Sequence, residues 1–499
     1  MKVQHHLPAQ EQQADEEIGG TLRKQHQPSP LFVTPSEKIN KFAFVVHPLT
    51  ARFIKNNPAL KFLKLFPDKL VENSAARLAP RVLSRIVGGI SPTTGQRIEG
   101  LLLSLTSTPR VMTSKDPEFT YKQLVQASRM AQQYGAKLLG LGAFTSVVGD
   151  AGVTVAKRSP IAVTTGNTLT VVTALETARE ALSRMATPGR QEAQELERVM
   201  VVGATGSIGS ACSRMLAQQG VQLCLVAPKK EKLRVLADHI QRESPDAPPP
   251  ILDTTPDAHA GSCQVVITTT SAFGQRVIRV DTLAPGAIVI DVARPSDITE
   301  EEAALRPDIL VIESGEVLIP PGTVNFGYNI GLPQHVAYAC LAETALLAME
   351  GLFESYSLGR TFDLAKINRM RELYQKHCFQ LAPLRTVSGE VVTEEMLSEK
   401  RILAQELRSD KYKLARLRRE TKAALDHIVP TSKGVKQRGG VRTKTTSFCR
   451  ICKGEITFNF RKKKVLPTLL PNVQAVPHDC SLGPTDSLCT MCATNEIYI

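Results

Sequence analysis

Three glycines at three-residue spacing, Gly203, Gly206 and Gly209 in "VVGATGSIGS" (201–210), offer the first chemistry. A glycine turn between a strand and a helix lets backbone N–H groups approach a pyrophosphate at the positive end of the helix. The spacing is one residue longer than the usual G-x-G-x-x-G, so context must support it. A strand of β-branched residues leads in, an amphipathic helix beginning near Ser207 leads out, and a second strand ends near Ala227. Gly203 suits the tight turn, Gly206 the approach of the phosphates, and Gly209 the close packing of helix on strand. Thr205, Ser207 and Ile208 complete the expected cofactor-binding turn.

The second strand runs into "VAPKKEKL". A site for NAD usually carries an acid there, to accept from the ribose hydroxyls. Lys229 and Lys230 instead present cations, which suit the 2′-phosphate of NADP(H). The same lysines would also serve as the solvated start of a helix.

A second set of candidates lies upstream. "GAFTSVVGDAG" and "TTGNT" are small, polar loops at strand ends. Thr145, Ser146, Asp150, Lys157, Thr165 and Asn167 could orient a carbonyl, where donors aimed at a developing oxyanion are the chemical need. Turn and cap chemistry explains the same residue types, and Asn167 with Thr168 would start the following helix. His47 and His335 could give a proton, or be hydrogen-bonded structural imidazoles.

The cysteines form a third set. Cys212, Cys224, Cys263, Cys340 and Cys378 are scattered singly, whereas Cys449, Cys452, Cys480, Cys489 and Cys492 crowd the stretch from 449 to the end. "CRIC" and "CTMC" place Cys449, Cys452, Cys489 and Cys492 as two C-x2-C knuckles, the pattern that gives tetrahedral Zn²⁺ four thiolates. Their spacer of thirty-six residues is longer than usual, and His478 and Cys480 are spare ligands.

These residues need elements to hold them. Strand-like runs "RVMVVGA", "VQLCLVAP", "CQVVITTT", "AIVIDVA" and "ILVIESG" alternate with helical patterns. They predict an α/β fold: a doubly wound (Rossmann) parallel sheet covered on both faces. "KFAFVVHPL", "KLLGLG" and "SPIAVTT", with helices between, predict a second α/β domain. The expected organisation is a disordered, polar extension at 1–40 and an N-terminal substrate domain at 41–190. The dinucleotide domain follows at 191–345, a helical closure at 346–390, a basic helix at 391–430, and a linker with the cysteine-rich end at 431–499.

The net charge of +13 is uneven. Residues 401–464 hold nineteen Lys and Arg against five acids, so the rest is close to neutral. The basic character belongs to the C-terminal extension, which suits an acidic partner: nucleic acid, anionic lipid or an acidic carrier protein. The stretch 394–425 reads as one long basic amphipathic helix. No run of eighteen apolar residues predicts a transmembrane segment, and the first forty residues lack an apolar signal core. A reduced, cytoplasmic setting is expected.

Several separated stretches together resemble the fatty-aldehyde-forming long-chain acyl-(acyl-carrier-protein) reductases and their shikimate-dehydrogenase-like bacterial relatives. They are "KFAFVVHPL" (41–49), "LGLGAFTSVVGDAGVTVAK" (139–157), "VTTGNT" (163–168), "VVGATGSIGS", "NFGYNIGLPQHVAYACLAETALLAMEG" (325–351) and "HCFQLAPLR" (377–385). The resemblance covers about 41–390. It implies NADPH-dependent reduction of a fatty acyl thioester, on acyl carrier protein or CoA, to a fatty aldehyde. It also implies a cysteine after the glycine-rich end of the last core strand. The matching "VIESGEVLIPPGTVNFG" has none, and Pro320 or Pro321 stands there. The nearest body cysteine in sequence is Cys340, in "AYACLAE". Its segment reads as an apolar helix, where a cysteine usually has a raised pKa, so direct hydride transfer is expected over a covalent route. Two other readings stand beside this one: a reductase of a small carbonyl compound, and a non-catalytic scaffold carrying a nucleic-acid- or partner-binding tail.

Overall fold

The computed structural model describes residues 38–428, apart from 57, 187–195, 273–274 and 321–323, together with two strands near the C-terminus. The chain divides into two compact units, Met1–Ser432 and Lys433–Ile499.

The first unit contains two open sheets. The N-terminal sheet has β1 (Ile39–Val46), β2 (Arg81–Ile90), β3 (Arg97–Ser104), β4 (Leu138–Leu141) and β5 (Ala162–Thr164), in the order β2-β3-β1-β4-β5. All pairings are parallel except that of the edge strand β2 with β3. β1 shows why both faces are covered. Phe42 and Phe44 point into one apolar cluster, and Ala43 and Val45 into another, as the two-residue period of a strand requires. Helices α1 (Ala51–Lys55), α2 (Asp68–Ala75), α3 (Pro109–Ser114), α4 (Pro117–Tyr134) and α5 (Val153–Arg158) belong to this half. α4 has the expected punctuation. Asp116 accepts from the Glu118 N–H at its start, and Gly135 ends it with φ +90°.

The long helix α6 (Asn167–Met185) leads into the second sheet. Its strands are β6 (Arg198–Val202), β7 (Gln222–Val226), β8 (Ile251–Asp253), β9 (Val265–Thr268), β10 (Ile288–Asp291) and β11 (Leu310–Glu313). They run parallel in the order β11-β10-β9-β6-β7-β8, with α7 (Ser207–Ala217), α8 (Lys230–Glu243) and α9 (Glu300–Ala304) among the connections. That order is the doubly wound arrangement read from the sequence, and it reverses between β6 and β9, where such sheets bind ligands. The short strand β8 was not expected.

A small antiparallel sheet follows, made of β12 (Glu316–Leu318), β13 (Val336–Tyr338) and β14 (Gln380–Leu381). β13 runs straight into α10 (Ala339–Glu350), and α11 (Leu364–Lys376) comes next. α6 packs on both α10 and α11 as well as on α7. β15 (Arg385–Thr386) then joins the edge of the second sheet, antiparallel to β11.

The single basic helix expected at 391–430 is two helices, α12 (Glu394–Ser409) and α13 (Lys411–Leu425). Asp410 breaks it, because its carboxylate accepts from the N–H groups of Tyr412 and Lys413 and so starts a new helix. Several of its cations are used internally. Lys400, Arg408 and Arg418 donate to the carbonyls of Ile309, Pro285 and Leu283. Among the described residues no helix is long and apolar enough to cross a membrane.

In the second unit, β16 (Thr445–Phe448) pairs antiparallel with β17 (Glu455–Phe458). The knuckle residues Cys449, Cys452, Cys489 and Cys492, and their spares His478 and Cys480, lie outside the described residues, as does most of the extension expected at 1–40.

Candidate functional site

The glycine turn has the geometry its sequence predicts. Gly203 has φ +83°, a conformation that side chains with a Cβ rarely adopt. Its N–H donates to the Val226 carbonyl at 2.9 Å, which fixes the turn against β7. A Cβ on Gly209 would lie 2.4 Å from the Gly203 carbonyl oxygen, so helix and turn touch where a side chain would stand. Gly206 caps α7 with no side chain over the helix end. The first-turn N–H groups of Ser207, Ile208 and Gly209 have no intrahelical acceptor, and the cradle fits a pyrophosphate. Thr205 completes the turn. Lys229 caps α8 and Lys230 begins it, and both are exposed just after β7.

Two consecutive residues join this turn to the N-terminal half. Asn167, the first residue of α6, donates from Nδ2 to Ser207 Oγ at 3.4 Å. Its side chain therefore bridges the two helix starts, and Gly166 is the cap. Gly166 itself packs on Cys340: a Cβ there would lie 2.2 Å from the Cys340 Cβ. Cys340, Gly166, Asn167 and Ser207 thus form a continuous line from a thiol to the dinucleotide turn.

Cys340 lies in a helix, as its segment reads, in the first turn of α10 directly after β13. Burial pushes its thiol up to about 11, and the backbone N–H groups of Leu341 and Ala143 only partly oppose that shift. Pro320, where the family pattern led us to look for a thiol, is buried, and Pro321 lies outside the described residues.

Loop 142–146 lies against this thiol through Ala143, whose φ is +47°. Thr145 and Ser146 do not aim free hydroxyl protons at a substrate. Their Oγ atoms donate to the carbonyls of Gly142 and Ala143, at 2.6 and 2.7 Å. His47 holds the same loop, with Nε2 accepting from the Phe144 N–H at 3.1 Å. Burial pushes its imidazole down to about 4, so it is neutral near pH 7 and positions backbone rather than giving a proton. Asp150 precedes α5 and accepts from the Thr154 N–H and hydroxyl. Burial would raise its carboxyl, but these bonds hold it below its ordinary value. Lys157 is exposed in the last turn of α5, and His335 sits at φ +62° beside β13. The structure draws neither into the line from Cys340 to Ser207.

One residue that sequence reasoning missed organises the site. Glu343, one turn along α10 from Cys340, is fully buried. It accepts from Thr168 Oγ1 at 2.6 Å, Leu169 N–H at 2.9 Å, Thr164 Oγ1 at 2.5 Å and Ser357 Oγ at 2.8 Å. Thr165 completes the same knot, donating from Oγ1 to the Ser357 carbonyl at 2.6 Å. This carboxylate fastens "TTGNT" to α10, so Asn167 and Cys340 are held by one network. An acid in the apolar run "ACLAETALLAM" was the available signal, because buried carboxylates require donors.

A small apolar cavity of about 30 Å³ lies between β2, β3, the small sheet and α10. Leu341, Ala342, Ala345 and Met349 of α10 line one wall, and Phe42 and Ile98 the other. Among the described residues no group of three or more His, Cys, Asp or Glu could hold a metal ion.

No protein-family model matches the chain. Over 377 residues it is 30% identical to Aminotransferase PigE of Serratia sp.; the match covers 74% of this chain and 43% of that protein, less than half of its length. Over 322 residues it is 26% identical to the Long-chain acyl-[acyl-carrier-protein] reductase of Synechococcus elongatus, covering 60% of this chain and 87% of that one. Solved structures similar to it include quinate dehydrogenase from Corynebacterium glutamicum in complex with NAD. That pair shares 12% identity over 72% of this chain and 99% of the other, with a TM-score of 0.28. An NAD-dependent malic enzyme from Thermotoga maritima shares 11% over 68% and 84%, with a TM-score of 0.29.

Proposed function

We propose that the protein is an NADPH-dependent oxidoreductase that reduces a long-chain acyl thioester, carried by CoA or acyl carrier protein, to a fatty aldehyde. The observation that carries this reading is the convergence of three features on one turn of α10. Cys340 reaches the dinucleotide turn through Gly166 and Asn167, and the next residues, Leu341 and Ala342, open the apolar cavity. A small polar carbonyl compound would find almost no polar group in that cavity, whereas an alkyl chain gains by leaving water for it. The match to the acyl-carrier-protein reductase supports the same substrate class.

Residues 203–209 would hold the pyrophosphate, and Lys229 with Lys230 the 2′-phosphate. The bound dinucleotide supplies the hydride. Once Cys340 has lost its proton, a step that its raised value makes slow at neutral pH, Sγ attacks the thioester carbonyl carbon, and the carrier thiolate leaves and takes a proton. The acyl group is then a thioester on the protein. Once the carbonyl carbon has accepted hydride, the new C–O⁻ collapses, the C–S bond breaks, and aldehyde departs as Cys340 regains its thiolate. Five unpaired body cysteines and a reduced dinucleotide fit a cytoplasmic setting.

Incubation with a long-chain acyl thioester and no NADPH is the decisive experiment. An acyl adduct on Cys340 is expected by mass spectrometry, and Cys340→Ser should form no aldehyde when NADPH is added. Because the thiol sits near 11, adduct formation should speed up about tenfold per pH unit between pH 7 and 9. Undiminished aldehyde production by Cys340→Ser would establish direct hydride transfer instead.

A further inference from the structure

The segment between β1 and β2 is built inside out. Helix α1 packs on both the 3-10 helix Pro58–Leu65 and α2. Yet none of their described residues joins the three main apolar clusters. Phe53, Phe62, Leu65, Phe66 and Leu70 face outward instead, with Leu65 86% exposed. Arg52, Lys64, Lys69, Arg77 and Arg81 are exposed among them, and none is ion-paired among the described residues. The two acids of the segment are already matched. Asp68 pairs with Lys55 at 2.5 Å, and the buried Glu72 pairs with Arg110.

An apolar surface of this extent on a folded protein marks an interaction site. Here the side chains protrude rather than line a recess, and surplus cations surround them. Protruding Phe and Leu ringed by Lys and Arg suit the boundary between acyl chains and headgroups, with the cations held by anionic lipid. We infer that residues 51–83 dock the protein on an anionic lipid surface. The docking face continues into β2, where Val82 and Leu83 are exposed and Ile86 and Gly89 line the apolar cavity. The inference does not rest on the acyl-thioester reading.

The chain contains no tryptophan, so a single introduced indole reports its own surroundings. In the full chain, Leu65→Trp should shift its emission to the blue with phosphatidylglycerol-containing vesicles, and doxyl-labelled lipids should quench it. It should not respond to phosphatidylcholine alone. Val235→Trp, on the exposed face of α8, should respond to neither. Phe62→Ser combined with Leu65→Ser and Phe66→Ser should lower vesicle partitioning about tenfold or more. Vesicle binding that leaves the Leu65→Trp emission unchanged would assign the attraction to another basic region and overturn the proposal. A blue shift caused by an acidic carrier protein, with none caused by vesicles, would overturn it in favour of a protein partner.

Discussion

The amide of Ala339 donates to the carbonyl of Gly315 at 2.8 Å. Gly315 closes the glycine-bearing end of the last parallel strand, β11, and Ala339 precedes Cys340. That one bond sets a thiol beside the end of the strand although twenty-four residues of chain separate the two. No cysteine occurs in 311–327, and this bond holds the start of α10, with Cys340, beside that stretch.

Under the proposed reading, two exposed cations set cofactor choice. Replacing Lys229 and Lys230 together by Glu should weaken NADPH binding about tenfold or more at low salt, while NADH binding changes little. Titration of both dinucleotides by fluorescence checks this. Equal affinities in the unmodified protein would remove the assignment.

Glu343 is a positioning residue for two loops. Glu343→Gln turns an amide NH₂ towards groups that already donate, and should cost about 2–4 kcal/mol of stability. A lower Tm is expected, along with a fall in kcat that leaves NADPH affinity nearly unchanged. Unaltered kcat in a destabilised variant would limit Glu343 to a structural role.

Asp291 gives the fold a pH dependence. Burial first, and the charge of Asp297 second, push its carboxyl up to about 7. The folded state then keeps a proton that the unfolded chain has released, so stability declines as pH rises from about 4 to 7 and levels off above. The decline attributable to this group is about 2–4 kcal/mol. In urea unfolding at pH 5 and pH 8, Asp291→Asn should show a clearly flatter change than the unmodified protein. Parallel slopes would show that Asp291 is ionised throughout.

Ala345 lines the cavity one turn beyond Leu341. Ala345→Phe should fill much of the space and lower kcat/KM for long acyl thioesters about tenfold relative to short ones. A uniform loss across chain lengths would mean that the alkyl chain lies elsewhere.

Much of this architecture could be read locally. The strands β6, β7, β9, β10 and β11 announce themselves as β-branched runs, and the glycine turn carries its own backbone requirement at Gly203. β8 did not, because three residues after a proline run give too short a pattern. The break at Asp410 had a local signal, an acid able to cap the helix that follows, but uninterrupted amphipathic spacing concealed it. Thr145 and Ser146 were chosen for their hydroxyls, and only the folded loop shows those hydroxyls turned back on their own carbonyls.

By itself the sequence determined the doubly wound sheet, the dinucleotide turn and the lysines that follow it. Each depends on residues close together in the chain, where backbone conformation and periodicity act directly. Tertiary structure decided the rest. It placed Cys340 beside Gly315 and Gly166, buried Glu343 under four donors, and opened a cavity behind Leu341. It also turned Phe62 and Leu65 outward, although their composition suits a core equally well. Contacts between segments distant in sequence depend on how sheets and helices pack, and a linear pattern of residue types carries no record of which faces meet.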